Sequence, residues 1–331
     1  MTQATLVSSS GATSTESLPE ETSRLFGELQ DLKRVRVQHH GGASLAEHLY
    51  RQAWHRLLAG GDSSEVADLT VAAALTAVLF PGCDAAFWPA TGLPVPRAAQ
   101  HLRRALDETL GGFATAAYRE RLRAAATRLA EGYYWSAARE SDPAALEPPA
   151  LPRDLEALCH QPRAGATRPG VPRLVLTPPE SHAEHVLLTA AYAALLADHY
   201  GADRGTVFVA GLAHHLHNAL LPDCGFAGEE LLGDDLSAVI AAGRERALGQ
   251  LPDRLAELVR TSLRHHESIA APEGRAVSAG DVLDRVLDVK WRTRAAAVTD
   301  ADILGDLDLV HAGPLKSFQT TLLDSLGLWT A

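Results

Sequence analysis

From Ser23 onward, apolar side chains recur every three or four positions, beginning with Leu25, Phe26, Leu29 and Leu32, and that spacing lines one face of a helix. The same period predicts helices over Ser44 to Leu58, Glu65 to Phe80, Arg97 to Leu110 and Phe113 to Ala138. Ser44 with Glu47 forms a capping-box pair, which satisfies free amide groups at a helix start. Gly60-Gly61 and Pro81-Gly82 supply stops. After a proline cluster the pattern resumes over Ser181 to Tyr200, Arg204 to Leu221, Gly228 to Leu248, Pro252 to His266, Ser278 to Trp291 and Pro314 to Leu326. Ser278 reads as the N-cap of its helix. Runs of β-branched residues are rare, so the fold class is all-α, a helical bundle.

Four regions follow. Residues 1–22 are rich in Ser, Thr and Glu and predict a disordered tail, and 23–140 form an N-terminal helical domain. Prolines cluster over 141–179, a linker interrupted by one helical piece near Leu155, and 180–331 form a C-terminal helical domain. Ser44-Leu45-Ala46-Glu47-His48 echoes Ser181-His182-Ala183-Glu184-His185, and Leu79 to Cys83 echoes Leu220 to Cys224 at nearly the same offset. The halves read either as diverged copies of one unit, the first degenerate and without ligands at Ala72 to Thr76, or as a chance likeness of two Ala/Leu-rich segments.

Composition narrows the function. A net charge of −11 with no Lys/Arg block speaks against a nucleic-acid partner. No 18-residue apolar stretch and no signal-peptide pattern occur, so no membrane partner is expected and the expected location is cytoplasmic. Cys83, Cys159 and Cys224 are scattered, which fits reduced thiols rather than a disulfide framework or a structural zinc site. Only three lysines occur, Lys33, Lys290 and Lys316.

The chemistry concentrates in the C-terminal half. Three histidines fall within four residues in Ala213-His214-His215-Leu216-His217-Asn218. Around them stand His182 and His185, then Arg264-His265-His266-Glu267, then Gly280-Asp281-Val282-Leu283-Asp284. Helices of a bundle can bring such residues together, and imidazoles with few carboxylates suit Fe, Mn, Zn, Co or Ni better than Mg or Ca. The candidate metal ligands are His185, His214, His215, His217, His265, His266 and Asp281; His217, three residues after His214, would share its helix face. Asp284 and Asp288 follow Asp281 at helical spacing, where a carboxylate can orient an imidazole.

Glu184-His185, Phe208 to His214, His265-His266-Glu267 and Ala279 to Leu283 together resemble the HD-domain superfamily, helical metal-dependent phosphohydrolases named for an adjacent His-Asp pair. The resemblance implies that His185, His214 and Asp281 hold a metal, and that His265 or His266 matches the extra histidines of two-metal members. His215 stands where the name-giving aspartate belongs. A neutral imidazole bridges two ions poorly, so one divalent metal is expected rather than two. The implied function is hydrolysis of a small-molecule phosphate ester, a nucleotide among the candidates. Glu267, Asp284 or His217 would serve as general base, and Arg264 or Arg244 would neutralise phosphate charge. Two alternatives stay open: an HD-related signalling or scaffolding module without catalysis, and an HD-type iron oxygenase.

Overall fold

One helix, α8 (His182–Tyr200), is apolar on every side, and its residues from His182 to Ala197 are all buried. The other elements are arranged around it. The computed structural model describes residues 18, 21–37, 41–83, 87–132, 150–163, 166–168, 171–174 and 177–295. The predicted tail lies almost entirely outside these residues, as do residues 133–138 and the helix expected over Pro314 to Leu326.

The N-terminal half contains α1 (Thr22–Leu29), a 3-10 turn Gln30–Lys33, α2 (Leu45–Leu58), α3 (Ser63–Leu79), the short α4 (Phe87–Ala90), α5 (Val95–Leu110) and α6 (Ala116–Ala130). Then come α7 (Arg153–His160) and a two-stranded antiparallel hairpin, β1 (Ala166–Arg168) and β2 (Val171–Leu174). After α8 follow α9 (Arg204–Ala213), α10 (Gly225–Leu232), α11 (Leu236–Leu248), α12 (Asp253–His266) and α13 (Pro272–Ala295). The fold is all-α, with the hairpin as a small addition that the sequence pattern did not announce.

Three boundaries differ from expectation. The helix expected to reach Leu221 ends at Ala213, because the His214 ring Nδ1–H donates to the Gly211 carbonyl at 2.7 Å and competes for an acceptor of the helix ladder; a 3-10 turn, Leu216–Ala219, follows. The segment Gly228 to Leu248 is two helices, broken at Gly233, whose φ is +51°. Ser278 is not an N-cap, since α13 already starts at Pro272, where a first-turn proline loses no hydrogen bond.

Buried apolar residues of both halves belong to one core, from Leu25 and Trp54 through Leu155 to Leu263. Phe26 stacks on Tyr192 of α8 with ring centroids 4.1 Å apart. Within the stretch expected as a linker, Leu155 and Leu158 of α7 are buried, and the Leu155 carbonyl accepts from the Tyr50 hydroxyl at 3.0 Å. The halves share an opening. In each, an isolated antiparallel bridge (Arg36 with Ser44, Pro162 with Ser181) closes on a serine N-cap, and the capped helix packs on a second capped helix. α2 packs against α3 and α8, α3 packs against α9, and α6 and α12 lie against α3 and α9 in turn. No described helix is long and apolar enough to cross a membrane.

Candidate metal centre

Two glycines bring the site's helices together. A Cβ on Gly211 would lie 2.5 Å from Ala190 Cα, and one on Gly280 would lie 2.8 Å from the Thr189 carbonyl oxygen. Both positions therefore permit backbone contact with α8 that any side chain would block. His214 and Asp281 sit just beyond these glycines, and His185 sits one turn earlier on α8. The close packing delivers all three to one place.

The imidazoles form a continuous cluster. Ring centroids of His185 lie 5.3 Å from His214 and 5.1 Å from His215, and His214 and His215 lie 4.2 Å apart. Ligand atoms of these three converge within 4.8 Å of one another. His182 joins at 5.3 Å from His215, His217 at 5.6 Å from His215 and His266 at 5.9 Å from His214.

Hydrogen bonds fix how each ring is presented. Nδ1 of His185 donates to Asp284 Oδ2 at 2.7 Å, Nδ1 of His214 to the Gly211 carbonyl at 2.7 Å, Nδ1 of His215 to Asn218 Oδ1 at 2.7 Å and Nδ1 of His182 to the Gln161 carbonyl at 3.0 Å. With Nδ1 protonated, each Nε2 carries the lone pair that a metal needs. Nε2 of His182, His185 and His214 is buried without a hydrogen-bond partner. Nε2 of His185 lies 3.2 Å from Asp281 Oδ1 without hydrogen-bond alignment, a separation that neighbouring ligands of one ion adopt. Orphaned buried acceptors facing a carboxylate are costly in a metal-free protein, and a cation among them removes the cost. The donor set of imidazoles plus carboxylate fits a first-row divalent ion.

The electrostatics keep these groups ready. Burial foremost, then neighbouring histidines, hold His214 and His215 well below the usual imidazole range, so both are neutral at pH 7. Burial alone would raise the Asp281 pKa, but the polar groups facing it, His185 first and Arg285 among them, hold it below the ordinary carboxylate value. Three arginines ring the cluster. Arg163 Nη1 lies 3.3 Å from His215 Nε2, Arg285 bonds Asp281 Oδ2 at 2.9 Å, and Arg244 bonds Glu267 at 2.7 Å beside His217 and His266.

Other expected site residues lie elsewhere. His217 does not share a helix face with His214, because the helix has ended; its ring neighbours His215, and the His266 ring neighbours His214. His265 is exposed. Arg264 is exposed and bonded to Thr261 and Glu257 of its own helix, so it does not line the cluster. Glu267 is at the rim, 57% exposed. Asp284 is fully buried and both its oxygens are taken: Oδ1 accepts from Gln30 Nε2 at 2.8 Å, and Oδ2 accepts from Lys33 at 2.8 Å and from His185 at 2.7 Å. It therefore orients His185 and cannot act as a base toward water. Glu180, His185 and Asp284 also converge, but the Lys33 ammonium contacts both carboxylates and fills that place.

Gln30, Lys33 and Arg163 border the site without having been expected there, and His182 joins the cluster although it was not among the expected ligands. One signal was available for Lys33: it is the only lysine before position 290 in an arginine-biased chain.

Metal-free protein should be acid-labile. Burial above all lowers His182 and His217 from 6.5 to about 4. Between those values the unfolded chain binds protons that the folded chain refuses, so stability is complete above pH 6.5 and is lost as pH falls toward 4. Each histidine contributes up to roughly 3 kcal/mol over that window. Asp281 and Asp284, also lowered, add a further loss below 3.8. Urea unfolding at pH 7, 5.5 and 4.5 should show the decline, and a flat profile would contradict the buried neutral histidines.

The central helix, a following helix and a late helix bring His185, His214 and Asp281 close together, an arrangement whose donor atoms could hold a metal ion. Residues 183–289 match the family model of the HD domain. This segment, about a third of the chain, is therefore similar to HD domains. No curated protein and no solved structure matches the chain.

Proposed function

We propose that the cluster is a one-metal hydrolase centre acting on a small phosphate ester, a nucleotide among the candidates. One observation carries the reading: four rings have Nδ1 committed to fixed acceptors, and three of them, His185, His214 and His215, converge beside Asp281. A module that had abandoned metal binding would have no reason to keep buried lone pairs unpaired.

His185, His214, His215 and Asp281 would hold the ion. A divalent ion there supplies Lewis acidity toward a phosphoryl oxygen and makes water nucleophilic near neutral pH. Arg163, mostly buried and lying against His215, binds the phosphate dianion through charge-assisted hydrogen bonds. Glu267, bonded through Oε1 to Arg244 and otherwise open to solvent, accepts the proton of the attacking water.

Assays on a panel of nucleotides and other phosphomonoesters with added Mn, Co, Zn or Fe test this. Phosphate release should depend on metal. Arg163→Ala should raise KM about 10-fold or more, the value of a charged hydrogen bond. Glu267→Gln should lower kcat and leave metal content unchanged. A protein that binds metal fully yet releases no phosphate from any member of the panel would defeat the hydrolase reading.

A further inference from the structure

The HD match begins at residue 183, yet the site reaches far outside it. Lys33 is completely buried, and its ammonium group contacts Glu180 and Asp284. Burial alone would lower its pKa, but Asp284, Glu180 and Asp288 hold it above the ordinary lysine value. Gln30 Nε2 donates to Asp284 Oδ1 at 2.8 Å and lies 3.1 Å from the Tyr192 hydroxyl, which itself donates to the Phe26 carbonyl at 2.7 Å. Asp284 in turn receives His185 Nδ1 at 2.7 Å, which directs His185 Nε2 toward Asp281. The same N-terminal segment is pinned to α13 by Arg34 against Asp288 and by the Trp291 indole N–H on Asp31 at 3.0 Å.

We propose that the segment from Thr22 to Arg34 is a built-in part of the metal centre, with Lys33 and Gln30 as positioning residues that act through Asp284. A buried carboxylate with one imidazole donor could rotate. Clamped by an ammonium and an amide on its other lone pairs, it holds one tautomer and one ring angle of His185. Metal affinity is therefore linked to docking of the N-terminal segment, and the ion in turn stabilises that docking. This rests on the metal site proposed above and adds to it a dependence on residues 150 positions away from the HD helices, roughly the length of one ordinary domain.

Cobalt titration of the full chain, read by its visible absorption and by circular dichroism for folding, tests the linkage. Lys33→Met should weaken cobalt binding about 10–100-fold, the range for partners of a ligating histidine, and shift the cobalt spectrum. Asp284→Asn should do the same, and Lys33→Met combined with Asp284→Asn should bind no worse than Asp284→Asn alone, since the lysine acts through the carboxylate. The double variant also removes the uncompensated charge that could unfold the single one. Should Lys33→Met not fold, Gln30→Leu decides, with a several-fold loss expected. Wild-type affinity and spectrum in a folded Lys33→Met or Gln30→Leu variant, or effects of Lys33 and Asp284 that simply multiply, would overturn the inference. Absence of cobalt binding in the wild type would instead overturn the metal site beneath it.

Discussion

Replacing His214 by alanine is expected to abolish stoichiometric metal binding, and His185→Ala and Asp281→Ala should do the same. Each would remove a direct ligand of the proposed centre, so affinity should fall by more than the roughly 10–100-fold that outer partners contribute. His214 is buried and its one fixed hydrogen bond is to the Gly211 carbonyl, so its loss leaves a small cavity and a carbonyl without that donor, and the helix packing set by Gly211 remains. His199→Ala is the control. That ring lies near the C-terminal end of α8 against Tyr200, far along the helix from His185, and metal binding should be unchanged. Equilibrium dialysis against cobalt gives the comparison, and full metal in folded His214→Ala would remove the site assignment.

The second large effect concerns His215. An aspartate there would face Arg163 and stand among His182, His185 and His214. One carboxylate oxygen could serve each of two ions, which an imidazole cannot do because its nitrogens point apart. Beyond His215, His182 Nε2 is buried without a partner, and Asp223 Oδ2 lies 3.9 Å from it. His215→Asp is therefore expected to raise bound manganese from one toward two ions per chain. Native one-metal activity should fall, because Asn218 then loses the Nδ1 donor and the first ion loses an imidazole. Unchanged metal content together with unchanged activity would mean that His215 only packs.

The core of this site was readable because its signals are local. His214 follows a glycine that only a close helix contact explains, and Glu184 lies three residues after the N-cap Ser181 in a capping box, so the helix carrying His185 has a fixed start. The helical period located most elements, since burial of an apolar face acts within each segment. What escaped was long-range. Lys33 meets Asp284 across 251 positions and Arg163 meets His215 across 52, and no spacing rule connects residues whose contact depends on how the whole chain folds back. The exact face of His217 escaped for another reason: a side-chain hydrogen bond from His214 ended the helix early, and periodicity cannot register that competition. Arg264 looked available beside the histidines, but its position on the helix turned it to Glu257 and Thr261.

The most direct test of the account is X-ray absorption at the cobalt K-edge of the loaded wild-type protein. One ion per chain with a nitrogen and oxygen shell, carrying the outer scattering of three imidazoles from His185, His214 and His215 and one carboxylate from Asp281, is the predicted result. An all-oxygen shell, a sulfur-containing shell, or no bound cobalt would contradict it.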